Sequence, residues 1–353
     1  MNQVQINGIQ QVGIGVSNAE EAWAWYRKAF KFDVPIFQDS AEAKLMTRYT
    51  SNKVESRHAI LAMNMQGGGG FEIWQYTSKT PLASKEKLKW TDLGILAVKI
   101  RSKDIYKTYD HLNTFGATIL GKPEPNPVGV KHFFIKDPDG NIFEIIENDS
   151  WCFKNKDLTG GVLGVVMGVS SIEKVLPIYQ QHFQQVEILA DEKKNWVDFN
   201  QVDNEKTEFR RVILQASKKA TGAFGKLLCQ TQIELIETDY PSRNVIFKDR
   251  NWGDLGFIHV CFDVNGMHEL KRNLKEIGVE FTVDSENEFD MGKAAGRFAY
   301  IEDPDGTLIE MVETYKIPII EKIGWNLNLR NRNPQSTLPD LVLKALTLNR
   351  VKD

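Results

Sequence analysis

The chain repeats itself, and that repetition limits its possible folds more than any other feature. "WTDLGILAV" from Trp90 and "WGDLGFIHV" from Trp252 share Trp, Asp, Leu and Gly in register. The same offset carries Leu112 and Gly116 onto Leu274 and Gly278 without a gap. Further on, "IKDPDGNIFEIIE" from Ile135 to Glu147 matches "IEDPDGTLIEMVE" from Ile301 to Glu313. Matches of this kind at a fixed separation mean that one supersecondary plan is built more than once. The chain divides into a first half, 1–150, and a second, 151–316, followed by a C-terminal extension, 317–353, with no counterpart. At 353 residues it is long enough for two cores.

Each half splits again. "IQQVGIGVSNAEEAWAWYRKAF" reads as an alternating strand, a cap at Ser17 and Asn18, and a helix whose Trp23, Tyr26 and Phe30 recur at helical spacing. The stretches Ile95 to Gly116, Val162 to Phe183 and Phe257 to Gly278 repeat that plan, with Tyr179 and Phe183 standing where Tyr26 and Phe30 stood. Short strand-like runs follow each helix, among them "HAILAMNM", "GFEIWQY", "KHFFIKD", "RRVILQAS" and "QIELIE". Each DPDG suits a type I turn between antiparallel strands, with Pro second and Gly fourth. The reading is an α+β chain of four βαβββ units. Between Gln185 and Gln230 charge is high and periodicity weak, so strand limits there are the least defined. In the extension, "LPDLVLKALTLNRV" suits a short helix begun by Pro339, expected to pack or form an interface, with a lid over the site as the alternative.

Composition removes several function classes. Lys plus Arg number 44 against 47 Asp plus Glu, a formal charge of −3, which leaves no basic footprint for nucleic acid. No stretch approaches about 18 consecutive apolar residues, and the start lacks the pattern of a signal peptide, so the expectation is a cytoplasmic protein without a membrane partner. Cys152, Cys229 and Cys261 are odd in number and lack CxxC spacing, so any metal chemistry must use nitrogen and oxygen ligands.

Four βαβββ units with an alternating opening strand and a closing DPDG hairpin resemble the vicinal oxygen chelate superfamily, over about residues 8 to 315. That superfamily includes glyoxalase I, extradiol dioxygenases and bleomycin-resistance proteins. The resemblance implies pairs of units forming cup-shaped mixed sheets, with a divalent metal held by the first and last strands of each unit. The corresponding slots hold Gln11 and Glu72 in the first unit, Ala97 and Glu144 in the second, Gly164 and Glu234 in the third, and His259 and Glu310 in the fourth. If each half closed on itself, both cups would be incomplete. If the outer units pair, one cup collects Gln11, Glu72, His259 and Glu310, which is the glyoxalase I ligand set. The inner cup would then keep Ala97, Glu144, Gly164 and Glu234, with two carboxylates and no imidazole. The reading is one live site and one relic.

Such a ligand set suits one divalent metal ion, Zn, Ni, Co, Mn or Fe(II), without choosing among them. It implies a glyoxalase I-like lyase or isomerase acting on a small vicinal-oxygen substrate, with Glu310 and Glu72 as both ligands and candidate catalytic bases. Extradiol Fe(II) dioxygenase is the alternative, though it normally needs two histidines; a non-catalytic binding or resistance protein is the third. Glyoxalase I anchors glutathione with arginines at positions that here hold Gly15 and Leu255, so those anchors are missing. Arg57 or His58, but by alternation not both, is expected to face the cup. Because four units fill both cups, a monomer suffices.

Plainer readings stand beside these. Glu144 and Glu234 are expected to serve solubility or loop contacts, since their partner slots are empty. A lone histidine on an apolar strand is more often a core residue than a ligand, but His259 has three occupied slots around it. Gln11 read alone is a surface residue. Trp74 and Tyr76 share the face of Glu72 and either line a pocket or pack the core; Trp90 and Trp252 are expected to be structural. His58, His111, His132, His182 and His268 are scattered, and those at 111, 182 and 268 fall on expected helices facing solvent.

Overall fold

The computed structural model describes residues 4–203, 206–217, 219–286, 289–290, 295–320 and 323–352. The first unit runs β1 (Gln5–Gly15), α1 (Ala19–Phe30), β2 (Val34–Glu42), β3 (Ser56–Met63) and β4 (Gly70–Tyr76). The second has β5 (Gly94–Ser102), α2 (Ile105–Phe115), two-residue strands β6 (Thr118–Ile119) and β7 (Glu124–Pro125), β8 (Lys131–Lys136) and β9 (Ile142–Glu147). The third has β10 (Thr159–Gly168), α3 (Ile172–Pro177), β11 (Glu187–Lys194), β12 (Phe209–Gln215), α4 (Gly225–Leu228) and β13 (Gln232–Glu237). The fourth has β14 (Gly256–Asn265), α5 (Met267–Glu276), β15 (Val283–Asp284), β16 (Phe289–Asp290), β17 (Ala295–Glu302) and β18 (Leu308–Ile320). The extension adds β19 (Trp325–Asn328) and α6 (Asp340–Ala345).

Local chemistry sets these boundaries. Asn18 caps α1 by accepting from the backbone N–H groups of Glu20 and Glu21 at 3.1 and 3.2 Å, and Asp104 caps α2 through Lys107 N at 3.1 Å. Gly116 closes α2 at φ +87°, the left-handed conformation that costs a side chain most. Both DPDG turns close through a backbone bond from Gly to Asp, Gly140 to Asp137 at 3.1 Å and Gly306 to Asp303 at 2.9 Å. The third opening helix departs from expectation. Pro177 lacks an N–H, and α3 gives way to a π-helical turn over Ile178–His182. Tyr179 and Phe183 nonetheless reach the core, fully buried. In the same unit, the edge strand β11 is almost wholly exposed, which is why its sequence carries no apolar alternation.

Two curled mixed sheets result. The outer one is ordered β15-β17-β18-β14-β1-β4-β3-β2 and joins the first unit to the fourth; the inner one, β11-β12-β13-β10-β5-β9-β8-β6, joins the third to the second. Each sheet therefore takes one unit from either half. The seams are antiparallel, β1 against β14 and β10 against β5. The main core combines both sheets with apolar faces of α1, α2, α3 and α5, including Trp23, Tyr26, Leu112, Val175 and Leu274. The extension packs: β19 pairs with β18, and Leu338, Leu343 and Leu346 join Met63, Leu227 and Ile317 in a satellite core. No described helix is long and apolar enough to cross a membrane.

Candidate metal centre

Strand register assembles the outer site. On β1, Gln11 lies opposite Cys261 of β14, and Gly13 lies opposite His259 on one side and Glu72 of β4 on the other. On β18, Glu310 is paired with Cys261. Alternation puts Gln11, Glu72, His259 and Glu310 on one concave face. Ligand atoms of Glu72, His259 and Glu310 all fall within 4.8 Å of one another. Gln11 Nε2 donates to Glu310 Oε2 at 3.3 Å and to Glu72 Oε2 at 3.5 Å. Gly13 is required beside them, because a Cβ there would sit 2.3 Å from His259 Cε1.

These four side chains are short of one partner. His259 Nε2 stands 3.0 Å from Glu310 Oε2 and 3.4 Å from Glu72 Oε2, yet at angles that make no hydrogen bond, and Gln11 Oε1 is buried without one. The distances and the missing bonds agree once the nitrogen is read as lying beside the oxygens rather than pointing at them. Orphaned buried polar atoms cost free energy, so their convergence calls for a group to fill the middle. The field there is strongly negative. Burial pulls the His259 pKa down, but Glu310 and then Glu72 overcome this and raise it to about 9. An oxygen-rich set with one imidazole fits a divalent ion, and a half-turn of the Gln11 amide exchanges its two ends.

A cavity of about 570 Å³ opens over Gln11, Glu72 and Glu310, walled by Trp74, Trp252 and Tyr300. Trp252 is thus more than a structural residue; its ring lies 4.5 Å from that of Trp74, edge to face. Tyr76 instead packs in the core, while Trp90 stacks on Phe199 and donates to its carbonyl at 3.0 Å. Arg57 lines the cavity and is held by Asp39 at 3.2 Å; His58 faces the other way, toward Ser40 Oγ at 2.8 Å. Where the resemblance expects an arginine, Gly15 can carry no side chain, since a Cβ would lie 2.1 Å from Asp254 O.

Residues 8–145 match the family model of the Glyoxalase/Bleomycin resistance protein/Dioxygenase superfamily. That match spans the first two units, less than half of the chain. A point-substituted glyoxalase I from Zea mays aligns over 88% of this chain and 93% of its own, at 15% identity and a TM-score of 0.56. Unsubstituted glyoxalase I from Zea mays gives 15%, 88% and 92%, with a TM-score of 0.53. A Bacillus subtilis protein proposed to be a dioxygenase gives 13%, 88% and 86%, with a TM-score of 0.54. At such identities the likeness is one of fold. No curated protein sequence matches the chain.

The inner cup overturns two expectations. Glu144 and Glu234 were expected to serve solubility or loops, but both are fully buried and meet Lys99 Nζ, at 2.8 and 2.6 Å. The cup was also expected to lack an imidazole, and His132 supplies one from β8, with Nδ1 2.8 Å from Glu144 Oε1. The chain of contacts then closes on itself: His132 Nε2 to Asp198 Oδ2 at 3.3 Å, Asp198 to Arg211 at 2.5 Å, and Arg211 Nε to Glu234 Oε1 at 2.6 Å. Acids and bases alternate around this ring. Burial works against every charge in it, but Glu144 and Glu234 together raise the Lys99 pKa, and Lys99 with His132 holds Glu144 well below the usual carboxylate range. Asp198 and Glu144 likewise raise His132 despite its burial. The Arg211 guanidinium lies over the rings of Phe199 and Trp196, at 4.1 and 4.8 Å. The glutamine slot is closed as well, because a Cβ at Gly164 would meet Gln232 O at 1.8 Å.

Lys99, His132, Asp198 and Arg211 are what sequence reasoning missed. One signal was available: the offset that carries Trp90 onto Trp252 carries Lys99 onto Cys261, two residues beyond the histidine slot and so on the same face.

Proposed function

We propose that the protein is a metal-dependent lyase or isomerase of the glyoxalase I type, moving a proton on a small vicinal-oxygen substrate. The observation that carries this is the convergence of Glu72, His259 and Glu310 with Gln11 around two orphaned polar atoms. Gln11, Glu72, His259 and Glu310 would hold the ion. When bound, a divalent metal supplies a Lewis acid that stabilises negative charge developing on substrate oxygens.

The chain's own residues do the rest. Glu310 and Glu72 approach the substrate position from different strands, so one can take the proton and the other return it. Tyr300 Oη, 3.5 Å from His259 Nδ1, braces the imidazole and keeps Nε2 turned to the centre. Trp74 and Trp252 exclude water from the face where the proton moves, and Arg57 offers positive charge near the rim. One imidazole beside two carboxylates counts against the dioxygenase reading, which calls for two histidines. Two cups completed within one chain make a monomer sufficient.

The test pairs metal analysis with proton exchange. About one divalent ion per chain is expected in the purified protein and less than about a tenth in His259→Ala. Glu310→Gln should slow exchange of the substrate C–H of a methylglyoxal–thiol adduct in D₂O by about 10²- to 10⁴-fold. Equal metal in wild type and His259→Ala sinks the proposal.

A further inference from the structure

The outer cup continues into a second, smaller space. Gln10, Phe37, Leu61 and Val312 line both, so the two adjoin. At its rim the cup carries charge, with Asp39, Glu42, Lys44 and Arg57. The chamber is the opposite. It measures about 80 Å³, and Ile36, Met63, Leu227, Ala295, Ile317 and Leu346 give it an apolar wall. The Gln10 amide is engaged elsewhere, donating to Asp263 Oδ1 at 3.0 Å.

Two of these wall residues come from outside the units that build the outer sheet. Leu227 belongs to α4 of the third unit and Leu346 to the extension. Both are held firmly: Leu338 N donates to Ala223 O at 2.9 Å, Val351 N to Asp33 O at 2.9 Å, and Lys226 pairs with Asp340 at 2.8 Å. The wall is therefore preformed. An apolar space of this kind offers water too few partners, and it suits a carbon substituent better.

We propose that the substrate is amphiphilic, with its paired oxygens at the centre and a short aliphatic or aryl substituent in this chamber, and that the extension sets substrate choice by closing the chamber with Leu346. This rests on the outer cup being the substrate site. At about 30 Å³ per water-sized group the chamber takes on the order of three carbons. Each methylene buried there should tighten binding about fourfold.

Catechol and its 4-methyl, 4-ethyl, 4-propyl and 4-pentyl derivatives, titrated calorimetrically against the purified protein with and without its metal, test this. Affinity should climb about fourfold per carbon to propyl and then level off. Ala295→Leu, which fills the chamber, should flatten the series. Leu346→Ala, which opens the wall, should extend the climb to pentyl, an opposite effect that misfolding would not mimic. A flat series in wild type, or variants with the wild-type slope, overturns the proposal. A slope that survives while metal removal changes no affinity supports the chamber and overturns instead the reading of the cup as a metal site.

Discussion

The two cups share a fold and a chain, and they satisfy buried acids in opposite ways. In the outer cup Glu72 and Glu310 face one imidazole and one amide, so two negative charges meet at most one positive. In the inner cup Glu144, Glu234 and Asp198 are met by Lys99, Arg211 and His132 in a closed ring. With His132 protonated, three positive charges balance three negative ones. A cluster of buried carboxylates is thus a binding site only where the chain withholds the counter-charge. Lys99 puts its ammonium between the two slot carboxylates, where the outer cup has room for an ion. Its equivalent outside, Cys261, is a short buried side chain whose thiol burial and Glu310 push well above its ordinary pKa.

The largest test of this contrast exchanges the two positions. Cys261→Lys should bring an ammonium between Glu72 and Glu310, and bound divalent metal should fall from about one per chain to less than about a tenth by elemental analysis. Undiminished metal in a folded variant would break the equivalence. Next in size, Lys99→Met leaves Glu144 and Glu234 buried side by side, and denaturant unfolding should show a loss of about 3–5 kcal/mol. Added Mn or Zn should recover part of that loss in the variant while leaving the inner cup of the wild type unaffected; failure to recover would mean that Arg211 and His132 alone bar a cation.

The smallest effect concerns the paired DPDG turns. Burial raises Asp303 to about 7, and Asp137 only to about 6, because Tyr26 Oη donates to Asp137 Oδ2 at 2.6 Å while Asp303 Oδ2 has no partner. A carboxyl raised above its unfolded pKa contributes stability that is present below the unfolded value and lost as pH rises through the folded one. The window is therefore about pH 4 to 7 for Asp303. Asp303→Asn should raise the melting temperature relative to wild type by a few degrees at pH 8 and by less at pH 5, and Asp137→Asn should gain less at either pH. Equal gains for both would show that the turns differ less than their hydrogen bonds suggest.

Much of this was legible in the residues because repetition supplies its own alignment. The four units, the DPDG turns and the Asn18 cap are local or periodic, and the slots Gln11, Glu72, His259 and Glu310 follow from the resemblance once the outer units pair. The inner ring is not legible from the slots, because most of its members lie outside them. Alternation alone would have put Lys99 on the face of Ala97, but Arg211 and His132 lie on other strands and Asp198 in a short 3₁₀ helix over Val197–Gln201, and no spacing rule joins them. The break after α3 was readable from Pro177, although not its π-helical form. Trp252 holds the place that matches Trp90, yet Trp90 stacks on Phe199 of the 3₁₀ helix Val197–Gln201 while Trp252 meets Trp74 at an open wall.

The pairing of the outermost units also orders events in time. During synthesis β10 follows β5 by about 65 residues and can zip onto it early, whereas β1 must wait for β14, some 250 residues later, before its edge is covered. Until then the nascent protein displays an open edge, with Gln11 and Glu72 lacking their partners from the fourth unit. A ribosome that stalls before Gly256 releases a product that carries every inner-sheet strand but lacks His259 and Glu310, so the proposed centre could form only on a chain extended through β18.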